Sequence, residues 1–170
     1  MSSGRFATLE KMLHWLPAAL AVAMITGEST ATMSADNTSH WLLPFWVHFF
    51  GVISAPHWAE IHHLIRKTGH MVGYGMVSAC FFHGWRMSLR GAGDKVRSVW
   101  RRAGMLAVAS TLLVASADEF HQSFLPSRTG RPVDVGIDLC GAITAQLLIL
   151  AVVSLITRKQ DLAAVATQGW

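Results

Sequence analysis

Charge is scarce in this chain. Only 14% of its 170 residues are Asp, Glu, Lys or Arg, while 52% are hydrophobic. A soluble domain carries about a quarter charged residues, so that composition and a mean hydropathy of +0.37 exclude an ordinary water-soluble globule and indicate a membrane protein. Cysteine is scarce too. Cys80 and Cys140 both fall inside apolar runs, which excludes a disulfide framework or a cysteine metal cluster and leaves small core fillers. No H-E-x-x-H and no serine-nucleophile motif is present, so neither zincin nor acyl-transfer chemistry has its usual signature. No internal repeat is visible, and the one low-complexity stretch is the polar "ESTATMSADNTS", residues 28–39. The net charge of +4 does not imply nucleic acid, because the basic residues flank apolar runs rather than lining an amphipathic face.

What is present is a set of apolar runs. A span needs about 20 mostly apolar residues to cross a hydrocarbon core of ~30 Å. Four segments are predicted to cross: residues 12–27, 68–85, 103–117 and 135–157. A fifth run, 41–55, holds Pro44 and His48 and is rich in aromatics; it reads as an interfacial or re-entrant segment. The first run is read as a span rather than a cleaved signal peptide, although Arg5 and Lys11 would make an n-region and residues 29–31 a passable cleavage site. With four spans, Arg5, Lys11, Arg86, Arg90, Lys95, Arg97, Arg101, Arg102, Arg158 and Lys159 all lie on one side. The positive-inside rule makes that side cytoplasmic, with both termini. The expected fold is an all-α four-helix membrane bundle over residues 9–157, followed by a short tail, 158–170.

The opposite side carries a dense polar stretch, "ADEFHQSFLPSRTGRPVD", residues 117–134. Counting from the cytoplasmic basic residues at ~1.5 Å per residue puts His70 and Asp118 about 24 Å up, and Lys67, His121 and Asp138 about 30 Å up. The helical faces agree. His63, Lys67, His70 and Tyr74 follow a 4-3-4 spacing; Asp118, His121 and Gln122 share a face; Asp134 and Asp138 are one turn apart, with Gln146 farther along. Ionisable groups at this depth are costly unless they pair or face water. They are therefore expected to build an outward-facing polar pocket, with Lys67 paired to Asp118 or Glu119 and Arg128 leaning over the mouth. Asp134 is explained by the dipole of a helix opening at Pro132.

"RKTGHMVGY" (66–74), followed by "ADEFHQSFLPSRTGRPVDVGIDLCGA" (117–142), resembles the VanZ-like membrane protein family. That family pairs R-K-x-x-H-x-x-E-Y with D-E-x-H-Q-x-F-x-P-G-R and then D-x-x-x-(D/N)-x-x-G. The resemblance implies functional roles for Arg66, Lys67, His70, Tyr74, Asp118, Glu119, His121, Gln122, Arg128, Asp134, Asp138 and Gly141. Two positions depart from the pattern. Gly73 stands where the family often has Glu, removing a carboxylate from the pocket, and Ser127 stands where Gly is usual. The family takes its name from a protein linked to low-level teicoplanin resistance, which implies a bacterial plasma-membrane protein acting at the envelope.

Two functions follow as expectations. In the first, Arg66, Lys67, Tyr74, Gln122, Arg128, Asp134 and Asp138 bind an anionic envelope component, a lipid phosphate or lipid-linked wall precursor. Guanidinium groups such as Arg128 and Arg131 suit phosphate or carboxylate. In the second, a membrane hydrolase or transferase uses His70 or His121 as base with Asp118 or Glu119 as its partner. A transporter with so few spans would need homo-oligomerisation. No cofactor and no metal is expected, since the histidines of "HWAEIHHLIRKTGH" (57–70) fit no zinc spacing and read as an interfacial belt.

Overall fold

The computed structural model describes residues 11–91, 95–126, 128 and 130–167, without the side chains of residue 31 and residues 160–167. Arg5, Ser127, residues 9–10 of the expected domain and 168–170 of the tail lie outside them. Five α-helices and one short 3-10 turn (Ala31–Met33) make up the described structure: α1 (Leu16–Glu28), α2 (Ala35–Phe50), α3 (Ala55–Ser88), α4 (Val96–Gln122) and α5 (Pro132–Thr167).

The helix limits follow local chemistry, not hydropathy. Pro17 sits in the first turn of α1, Pro56 in that of α3, and Pro132 opens α5, where a missing N–H is harmless. The Ser34 side chain caps α2 by accepting the Asn37 N–H, with Asp36 in the first turn, which satisfies an orphan donor and complements the dipole. Polar residues do not end a helix, so α3, α4 and α5 run past the expected span limits. The 34-residue α3 is about 51 Å long, and its first turns extend well beyond the predicted start at residue 68. Residues 41–55 form the last part of α2 and then an extended link; α2 has 16 residues, about 24 Å.

Two described helices, Val96–Gln122 and Pro132–Lys159, are long and apolar enough to cross a membrane. They coincide with the third and fourth expected spans. α1 has 13 residues, about 20 Å, and α3 mixes apolar residues with Arg66, Lys67 and several histidines.

α3 is the hub. It packs most extensively on α5, then on α4, then on α1, while α2 touches only its edge. The α3–α5 crossing is close because of Gly141: a Cβ there would lie 1.9 Å from the Met71 carbonyl oxygen. Any side chain would force the helices apart, so this glycine sets their separation. Ile25, Tyr74, Val77 and Ala115 bury together at mid-height, and Phe82, Ala103 and Ala107 bury together nearer the end of α3. Leu113, Leu147, Leu148 and Leu155 point outward while Asp118, Glu119, Gln122 and Asp138 are buried. That distribution is the reverse of a soluble protein's.

Candidate functional site

Three helices, the first residue of α2 (Ala35) and one loop converge on a cavity of about 190 Å³. α3 contributes Arg66, Lys67 and His70, α4 contributes Glu119 and Gln122, the loop contributes Arg128 and Arg131, and α5 contributes Asp134 and Asp138. The i, i+4 and i, i+3 spacings read from the sequence put these side chains on inward faces.

Behind the cavity lies a closed network. Tyr74, 0% exposed, donates its hydroxyl to Asp118 Oδ2 at 3.0 Å, and Gln122 Nε2 donates to the same oxygen at 2.9 Å. Gln122 also reaches Ser29 Oγ at 3.4 Å, tying α4 to the end of α1. Asp118 thus lies one layer behind the cavity wall. Glu119 accepts the Arg131 backbone N–H at 2.8 Å, and the loop can approach because residue 130 is glycine: a Cβ there would sit 2.1 Å from the Glu119 carbonyl oxygen.

The arginines do more structural work than expected. Arg128 Nη2 donates to the carbonyls of Glu28, Thr30 and Met33 at 2.6, 3.2 and 2.6 Å. Arg66 Nη1 donates to the Met33 carbonyl at 3.0 Å and to Thr38 Oγ1 at 3.2 Å. Together they clamp the α1–α2 connection over the cavity. Burial lowers the pKa of Arg66, as does the Arg128 charge; burial also lowers that of Arg128, against Asp118 and Glu119, which raise it.

Several expectations need correction. Lys67 pairs with Asp134, not with Asp118 or Glu119, because the Asp118 Oδ2 atom serves Tyr74 and Gln122 and Glu119 serves Arg131. Asp134 is therefore half of an ion pair as well as a complement to the helix dipole. His121 is exposed and absent from the cavity wall. At 100° per residue, a face centred between Asp118 and Glu119 turns His121 outward. His70 does line the cavity, with Nδ1 3.7 Å from Asp138 Oδ1, too far for a hydrogen bond. A Cβ at Gly73 would meet Ile25 Cδ1 of α1 at 3.0 Å, so that position faces α1 and not the cavity. Arg66, Lys67, His70, Glu119, Gln122, Arg128, Asp134 and Asp138 are brought together; Tyr74 and Asp118 support them from behind. Among the described residues, no three His, Cys, Asp or Glu groups are placed to share a metal ion.

Sequence reading missed the polar stretch at 28–39. It contributes Ser29 and the carbonyls of Glu28, Thr30 and Met33. Backbone acceptors leave no residue-type signal.

A family model described as VanZ/LLP1 matches residues 7–155. No curated protein and no solved structure matches the chain.

Proposed function

The chain belongs to the VanZ/LLP1 family, and from that premise we propose a four-span plasma-membrane protein of bacteria whose polar cavity opens outward. In this reading α1, α3, α4 and α5 cross, α2 lies at the outer interface, and both termini are cytoplasmic. The cavity holds the anionic group of an envelope lipid or lipid-linked wall precursor and so alters glycopeptide susceptibility. The observation that carries the reading is the cavity wall itself: Arg66, Lys67, Arg128 and Arg131 around about 190 Å³, at the end of two apolar helices. Polar groups this dense add little stability in hydrocarbon, where interhelical hydrogen bonds average under ~1 kcal/mol.

Arg131 is the variant of choice, because its side chain makes no hydrogen bond among the described residues while its N–H is already used by Glu119. In detergent-purified protein, Arg131→Ala should weaken binding of phosphatidylglycerol, read by native mass spectrometry, about tenfold, the loss expected for one charge-assisted contact. Unchanged binding sinks the proposal. For topology, cysteine at Ser127 should label with an impermeant reagent and cysteine at Arg90 should not; the reverse pattern inverts the orientation.

A second reading, a hydrolase or transferase, is favoured by one observation: the His70 imidazole and the buried Asp138 carboxylate share the cavity. His70→Gln should then abolish envelope phenotype without reducing lipid binding. Loss of both together returns His70 to the binding site.

A further inference from the structure

Most polar groups of the cavity already have partners. Lys67 has Asp134, Arg128 and Arg66 have backbone carbonyls, and Glu119 has the Arg131 N–H. Arg128 Nε is nonetheless buried without a partner, and two further groups stand out. The Arg131 guanidinium makes no hydrogen bond among the described residues, and Asp138, 1% exposed, has no hydrogen-bond partner for either carboxylate oxygen. A carboxylate buried with neither oxygen bonded is costly. This one lines the cavity with both oxygens closed off at its wall, so an incoming donor reaches it by a shift of the side chain. The unspent chemistry is therefore bipolar: guanidinium on one wall, carboxylate on another.

Charge balance points the same way. The cavity and the layer behind it hold four cations (Arg66, Lys67, Arg128, Arg131) and four carboxylates (Asp118, Glu119, Asp134, Asp138). With all eight groups charged, a purely anionic ligand leaves this set with surplus negative charge. A ligand carrying one phosphate and one ammonium leaves it balanced. The apolar side continues from there. Along the same two helices, residues including Met71, Gly75, Gly141, Ala145 and Leu148 line an open apolar groove of about 380 Å³. Lys67, Met71 and Gly75 are one turn apart on α3; Asp138, Gly141 and Ala145 follow one another down α5. The apolar groove thus begins about one turn from the polar cavity, on the same two helices, and suits a hydrocarbon chain.

Resting on the reading that the cavity holds a phosphate, we propose that its ligand is a phospholipid with an amine-bearing headgroup of the phosphoethanolamine class. The phosphate lies against Arg131, the ammonium donates to Asp138, and one acyl chain follows the α3–α5 groove.

The test uses the full chain in detergent, titrated with dioleoyl phosphatidylethanolamine, dioleoyl phosphatidylglycerol and the chain-free sn-glycero-3-phosphoethanolamine, and read by native mass spectrometry. Phosphatidylethanolamine should bind about tenfold tighter than phosphatidylglycerol, the factor expected of one ammonium–carboxylate bond. Asp138→Asn should bring that ratio close to one while phosphatidylglycerol binding persists, and Arg131→Ala should weaken both lipids alike. The chain-free headgroup should bind more weakly than the lipid by a further factor of ten or more. Equal or tighter binding of phosphatidylglycerol by the unmodified protein overturns the amine assignment and leaves the phosphate reading standing. A preference that survives Asp138→Asn removes Asp138 from it. Equal affinity for lipid and chain-free headgroup removes the groove. If neither phospholipid binds, the phosphate reading itself fails and this proposal with it.

Discussion

Near one end of α3, Phe82 is buried among Ala103, Ala107, Trp85 and Trp100, Trp15 packs edge-on to Trp85 at 4.9 Å, and each indole N–H that needs a partner finds a serine: Trp85 with Ser110 and Trp15 with Ser88. About two turns away on the same helix, Tyr74 joins Asp118 and Gln122 of α4 in a buried polar network, and Asp138 of α5 is buried with no hydrogen bond among the described residues. The first region is satisfied and apolar, and helix packing explains it fully. The second has ionisable groups beyond what packing needs, including a carboxylate that weakens the fold. Such a group marks a candidate functional site.

The comparison can be broken in graded ways. The largest effect is expected for Gly141→Leu, since even a Cβ overlaps the Met71 carbonyl. The α3–α5 contact should open, with roughly 3 kcal/mol or more lost and no monodisperse peak in size-exclusion chromatography. Phe82→Ala, in the apolar region, should cost roughly 3 kcal/mol through its cavity, read as a lower melting temperature with lipid binding retained. Tyr74→Phe removes a donor from buried Asp118 and should cost about 1–3 kcal/mol. It should also weaken lipid binding, because the network positions α4 against the cavity. Asp134→Asn breaks the Lys67 pair and should cost about 1 kcal/mol, with a smaller binding loss than Arg131→Ala. His121→Gln should change stability by less than about 0.5 kcal/mol and leave binding intact; a large effect would return His121 to the site.

Much of this was legible in residue types. Rise per residue put His70 and Asp118 at one level and Lys67, His121 and Asp138 about 6 Å higher, and 100° steps put Tyr74 on the stripe of His70 and Gln122 on the face of Asp118. Helix limits were less legible. Hydropathy marks where lipid would end, but α3 keeps its hydrogen bonds through Arg66 and His62 back to Ala55. Pairing was the least legible. Lys67 had several carboxylates within the same depth, and only the placement of the loop decided for Asp134. His121 lies outside the cavity wall because, although i+3 from Asp118 is close enough to share a stripe, Glu119 pulls the centre of the inward face the other way. The carbonyls held by Arg66 and Arg128 left no trace in the sequence at all.

The most direct test of the claim that Asp138 serves a ligand and not the fold is its effect on melting. Unmodified protein and Asp138→Asn would be melted in detergent, each with and without phosphatidylethanolamine. The account predicts that the variant alone melts higher, by the equivalent of about 1 kcal/mol or more, since a buried carboxyl with neither oxygen hydrogen-bonded has been removed. It also predicts that added lipid raises the melting temperature of the unmodified protein much more than that of the variant. A variant that melts lower than the unmodified protein, with an unchanged response to lipid, would contradict it and make Asp138 part of the structural network.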